Sequence, residues 1–149
     1  MLASVKRELA THEVRSEDVI EVWVPGAFEI PLVARRLAIR DDVDCVITIG
    51  LVLKGETTHD EHIARAVSSG CMQVGLETDK PILFGVLTCD TIEQARARAL
   101  PPDQGGRLDK GGEVARAAIE ALDALDRTHA LGRVFESAGF GASVKEARP

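Results

Sequence analysis

DCVITIGLVL at residues 44–53, running into KGETTHDEHIARAVSSGCMQVGL at 54–76, is the stretch on which the fold turns. Its first ten residues are apolar almost without interruption, the pattern of a parallel strand buried on both faces. The period then changes. Ile63, Val67, Cys71 and Val74 fall on one helical stripe, and Thr58 with Glu61 three residues later forms the pattern of a capping box at its start. Working outward, FEIPLVARRLAIR ahead of this unit has helical spacing, with Pro31 acceptable only in the first turn. IEVWV at 20–24 reads as a short strand stopped by Pro25 and Gly26, and Leu2, Val5 and Leu9 mark an opening amphipathic helix. Downstream come a buried strand, PILFGVLT at 81–88, a short helix from Ile92 to about Leu100, and an Ala-rich helix from Gly112 to about Leu125. PPDQGGRLDKGG joins the last two as the one loop-like stretch inside the domain.

Strands alternating with helices predict a parallel sheet covered on both faces, a three-layer α/β/α fold. The chain opens on a helix and supplies three strands, whereas open α/β units lead with a strand; one is expected to be absent ahead of Met1. Residues 1–129 read as one domain, without internal repeats, and 130–149 as a disordered or loosely docked tail.

The 149 residues suffice for one core, and a hydrophobic content of 45% is a globular value. With 18 basic against 24 acidic residues the net charge is −6, so the chain has no general attraction for nucleic acid or anionic membranes. Any phosphate must therefore be met locally. No apolar run approaches the roughly 18 residues of a membrane helix, and the N-terminus lacks a signal-peptide core. Cys45, Cys71 and Cys89 show no C-x-x-C spacing and suit buried positions in a reducing compartment, with the cytoplasm as the expected location.

Ligands of open parallel sheets sit beyond the carboxyl ends of the strands. Three such ends carry chemistry: PGAFE, GLVLKGETTH and LTCDT. At the second, Lys54, Gly55, Glu56, Thr57 and Thr58 lie where a strand becomes a helix, so free amides and the helix dipole offer an anion site; simple capping reads equally well. His59 beside it suits proton transfer near neutral pH or, alternatively, is a solvated residue of the first turn. His59 and His62 lack further ligands, so no metal is expected. Phe28 and Phe84 serve either a planar ring or the core, and Arg98 and Lys110 either a ligand or solvent. No Gly-rich nucleotide cradle is present.

VPGAFEIP, IGLVLKGETTH, KPILFGVLTCDTIEQARARA and DKGGEVARAAIEAL, in that order and spacing, resemble the lumazine synthase family from about Leu2 to Leu125. The resemblance implies a flavodoxin-like fold whose first strand is expected to be absent from this chain. It also implies an activity in riboflavin biosynthesis: condensation of 5-amino-6-(ribitylamino)uracil with 3,4-dihydroxy-2-butanone 4-phosphate to 6,7-dimethyl-8-ribityllumazine, phosphate and water. Carried over residue by residue, Ala27, Phe28 and Glu29 hold the pyrimidine and ribityl chain. Leu51, Val52 and Leu53 bind the pyrimidine edge through backbone, Glu56 and Thr57 the phosphate substrate, and His59 moves the proton. Phe84, Arg98 and Lys110 come from a neighbouring subunit. No metal or organic cofactor is implied. The partners implied are the two substrates, further copies in a homopentamer, and riboflavin synthase as a candidate. The span from Arg98 to Lys110 is longer than in capsid-forming members and favours an isolated pentamer. Two alternatives stay open: an impaired homologue serving only as an oligomer scaffold, and a generic flavin- or phosphate-binding flavodoxin-like module.

Overall fold

The structure, a computed structural model, describes residues 1–137. Its elements are α1 (Leu2–Thr11), α2 (Ile30–Ala38), β1 (Val46–Leu53), α3 (His59–Thr78), β2 (Ile82–Cys89), α4 (Ile92–Ala99) and α5 (Lys110–Ser137). Single 3-10 turns stand at Ser16–Asp18, Ala27–Glu29 and Pro102–Gln104. β1 and β2 pair in parallel, from Val46 opposite Ile82 to Leu53 opposite Cys89.

Alternation along β1 divides the core. Val46 joins Ala34, Ala38 and Val74, and Val52 joins Ile30, Val67 and Cys71, so this face packs on α2 and α3. Ile47 and Ile49 turn the other way, onto Val5, Leu9 and Ala115 of α1 and α5. The expected three layers are thus present, with helices on both faces of a parallel sheet. Small residues set the close contacts: a Cβ on Gly70 of α3 would lie 2.9 Å from Pro31 Cβ of α2. One on Gly85 of β2 would lie 2.5 Å from the Thr48 carbonyl oxygen of β1.

Four expectations need correction. Residues 20–24 are not a strand. They run from the cluster that Val19 joins to the one that Val24 joins, past β1, without a backbone hydrogen bond to it. A strand exists only through its ladder, and among the described residues no strand pairs with this segment. Ile20, Val22 and Trp23 are consequently exposed, Trp23 at 81%. β1 is not buried throughout either, because Leu51 and Leu53 are each 40% exposed. Thr58 is the N-cap of α3, but its side chain makes no capping bond: with φ −78° and ψ 14° it lacks the extended backbone that aims a hydroxyl at the helix. Finally, α5 begins at Lys110 and continues past Leu125 to Ser137. Ala- and Leu-rich sequence favours such continuation, and a single Gly costs only about 1 kcal/mol. The helix includes 130–137 of the expected tail, and 138–149 lie outside the described residues.

Candidate functional site

The Ala27–Glu29 turn, the carboxyl end of β1 and the start of α3 meet at one corner of the sheet. Val24 and Ala27 pack against the cluster of Ile30, Val52, Val67, Cys71 and Val86, which anchors the turn to both β1 and α3. Phe28 is thereby held outward, 60% exposed, beside the open end of β1. Glu29 folds back so that its Oε2 lies 3.0 Å from where a Cβ on Gly26 would stand. Val52 is buried whereas Leu51 and Leu53 flank it at the surface. The β1 residues that donate to β2 are the even ones, as shown by Val46 N to Pro81 O at 2.9 Å and Lys54 N to Cys89 O at 2.9 Å. The odd residues, Leu51 and Leu53 among them, therefore turn their N–H and C=O groups to the open edge. A planar partner with its own donors and acceptors fits that edge.

Lys54 bonds into β2, and the chain leaves the sheet through Gly55, Glu56, Thr57 and Thr58, all exposed. Nothing lies within 4 Å of a Cβ placed on Gly55, so the turn borders open space. The Thr57 hydroxyl accepts from His59 N at 3.4 Å, and His59 opens α3 as an exposed residue. The positive end of the dipole of a twenty-residue helix makes this corner suited to an anion.

The remaining candidates lie elsewhere. Phe84 is the third residue of β2, not at its carboxyl end, and with Lys110 it lines a cleft of about 310 Å³ along the free edge of that strand. Met1, Glu113 and Val114 are among its other walls, and none of Phe28, Leu51, Thr57 or His59 takes part. The Lys110 Nζ pairs with Glu113 Oε2 at 2.5 Å, and Arg98, half-buried on α4, donates Nη1–H to Gln94 O at 3.1 Å. The candidates therefore fall into two sets on opposite edges of one chain: Ala27 to His59 on the β1 side, Phe84, Arg98 and Lys110 on the β2 side.

Two contributors were not singled out from sequence. Glu113 holds Lys110, and Asp109 caps α5, its Oδ1 accepting from Gly112 N at 3.1 Å and its Oδ2 from Arg7 Nη2 at 3.0 Å. Burial alone would raise the Asp109 carboxyl, but the Gly112 amide, the Ser4 hydroxyl and Arg7 outweigh it and hold the group below its ordinary range. The Asp109-Lys110 junction carried the signal, since Asp before a first helical residue is a capping pattern. Burial pushes the Cys45 and Cys71 thiols up, away from nucleophilic use. Among the described residues no three His, Cys, Asp or Glu side chains stand together as metal ligands.

Residues 1–126 match the family described as 6,7-dimethyl-8-ribityllumazine synthase. A protein of that name from Thermus thermophilus is 50% identical over 110 residues, covering 73% of this chain and 67% of the relative. One from Leuconostoc mesenteroides is 36% identical over 132 residues, covering 88% and 81%.

Proposed function

The chain belongs to the 6,7-dimethyl-8-ribityllumazine synthase family, and from that premise we propose that it joins a ribitylaminouracil to a dihydroxybutanone phosphate in riboflavin biosynthesis. The observation that carries the site is the corner where the Ala27–Glu29 turn, residues 51–53 and residues 56–59 converge on one open edge. Phe28 and the free backbone of Leu51 and Leu53 take the pyrimidine, with Ala27 and Glu29 along its ribityl chain. Glu56 and Thr57 take the phosphate substrate.

In the reaction the primary amine adds to the ketone and water leaves to give an imine. Phosphate then departs as the neighbouring carbon gives up a proton, which His59 transfers. The ribityl-bearing nitrogen closes the ring with loss of a second water. None of the three steps needs a redox partner. Holding two reactants in register supplies much of the rate.

Phe84, Arg98 and Lys110 are read as completing the site from the next subunit, Arg98 gripping the phosphate with its planar fork. Their place on the opposite edge of the same chain supports that reading, since one chain then offers half a site on each side. A homopentamer is proposed as the working form, with riboflavin synthase a candidate partner. Residues 1–129 are proposed as the catalytic domain. Three free cysteines suit a reducing compartment, and the cytoplasm is proposed. Among the described residues no helix is long and apolar enough to cross a membrane.

Mixing both substrates with the purified protein should release phosphate and the fluorescent bicyclic product in equal amounts. A folded oligomer that yields neither overturns the activity. Light scattering should report a ring; a monomer of 16.0 kDa at micromolar concentration overturns the shared site.

A further inference from the structure

The loop between α4 and α5 closes on itself around one carbonyl. Ala97 O, in the last turn of α4, accepts from Arg107 N at 2.7 Å and from Leu108 N at 2.9 Å. A carbonyl oxygen has two lone pairs, and both are engaged here. The turn before it is drawn tight by Gln104 N and Gly106 N, which donate to Pro101 O at 2.9 and 3.0 Å, with Gly105 at φ +83°. At Gly106 the returning chain passes so close to Leu100 that an added Cβ would overlap the Leu100 carbonyl oxygen. Ala97 precedes Arg98 by one residue, and Leu108 precedes Lys110 by two. The paired bonds to Ala97 O therefore rivet the end of α4, which carries Arg98, to the start of α5, which carries Lys110. Asp109 fixes the other side of the junction through Gly112 N and Arg7.

We infer that Gly106 is a positioning residue: by letting the 101–109 loop close on Ala97 O, it sets the spacing of Arg98, which grips the phosphate-bearing substrate, and Lys110, which completes the same site. This rests on the reading of Arg98 and Lys110 given above. A residue with a Cβ at 106 must lift the chain off Leu100, which lengthens both bonds to Ala97 O and lets the two cations drift apart. A fork that meets phosphate oxygens in fixed geometry loses its advantage when displaced by a fraction of an ångström.

The test is steady-state kinetics of the assembled enzyme with each substrate varied in turn. Gly106→Ala should raise KM for the butanone phosphate about tenfold, the scale of one charge-assisted hydrogen bond. KM for the pyrimidine should stay within about twofold, and inhibition by inorganic phosphate should weaken in parallel. Leu108→Pro, which deletes one of the two amides, should give the same split and serves if Gly106→Ala fails to assemble. Gly105→Asn, at a left-handed position with nothing within 4 Å of its Cβ, should leave both constants unchanged. In the unsubstituted enzyme, inorganic phosphate should slow amide exchange at Arg107 and Leu108. Arg98→Ala separates the two levels of the argument. If it leaves KM for the butanone phosphate unchanged, the assignment of Arg98 itself is wrong. If it raises that KM while Gly106→Ala and Leu108→Pro raise neither KM or both alike, or if phosphate leaves amide exchange unchanged, the positioning role is overturned.

Discussion

Gly85→Ala should unsettle the whole sheet through a single methyl group. Gly85 stands opposite Ile49 in the β1–β2 ladder, and an added Cβ would sit 2.5 Å from the Thr48 carbonyl oxygen. That is well inside the 3.4 Å at which ordinary contact begins. The obstacle is backbone, so no side chain can rotate out of the way. Val114 and Met1, at 3.5 and 3.6 Å, leave little room on the α5 side. The strands must separate or twist, straining the neighbouring ladder bonds and the Thr48 Oγ1 bond to Leu83 O at 2.9 Å. Overpacking costs about 1–3 kcal/mol, and a backbone obstacle places this case near 3 kcal/mol. For a chain of this length that lowers Tm by about 6–12 °C. Thermal melts at fixed protein concentration check it, with Gly55→Ala, whose Cβ meets nothing within 4 Å, as the companion variant. Gly55→Ala should move Tm by less than about 2 °C. Equal melts for the two variants refute the packing argument.

Three further outcomes are expected. His59→Ala should slow single-turnover condensation by about 10²-fold or more while pyrimidine affinity holds, and an unchanged rate removes His59 from the mechanism. Asp109→Ala should cost a helix cap, about 1 kcal/mol or about 2–4 °C in Tm at neutral pH. Because the folded carboxyl is held below its unfolded value, its contribution is complete above the unfolded value and fades as pH falls through the folded one, so the two melts should converge in acid. A gap that persists at low pH contradicts the charge-based account. The open edge of β1 and the exposed segment 20–24 should lower the stability of residues 1–149. Adding an apolar strand ahead of Met1 should raise both Tm and product formation; identical behaviour of the two forms disproves the edge argument.

What the sequence made legible was whatever depends on local pattern. The runs around Val46 and Ile82 and the stripe Ile63, Val67, Cys71, Val74 carry their burial in their periodicity, and each became the expected element, with Val67, Cys71 and Val74 buried. Residues 20–24 have the same β-rich composition but depend on a neighbour for hydrogen bonds, which no local pattern records. The capping box failed for a similar reason: Thr58 and Glu61 have the right identities, but the turn from β1 gives Thr58 the wrong dihedrals. At the site, Thr57 and His59 could be grouped because they follow the end of β1 in sequence, and Phe28 joined them because residues 20–24 read as a strand. That Phe84 shares a cleft with Lys110 follows only from how α5 crosses β2. The rivet at Ala97 O joins residues ten and eleven apart by backbone alone, leaving nothing for side-chain identity to announce beyond Gly106.

The division of the candidate residues between the two edges of the chain has a genetic consequence. On the proposed shared site, defects on opposite edges would belong to different halves of every contact, and two inactive variants would complement each other. In a ring assembled from equal amounts of His59→Ala and Arg98→Ala chains, about one interface in four pairs an intact β1-side corner with an intact β2-side edge. Two alleles, each silent alone, would then support growth together, whereas two alleles altered on the same edge would not.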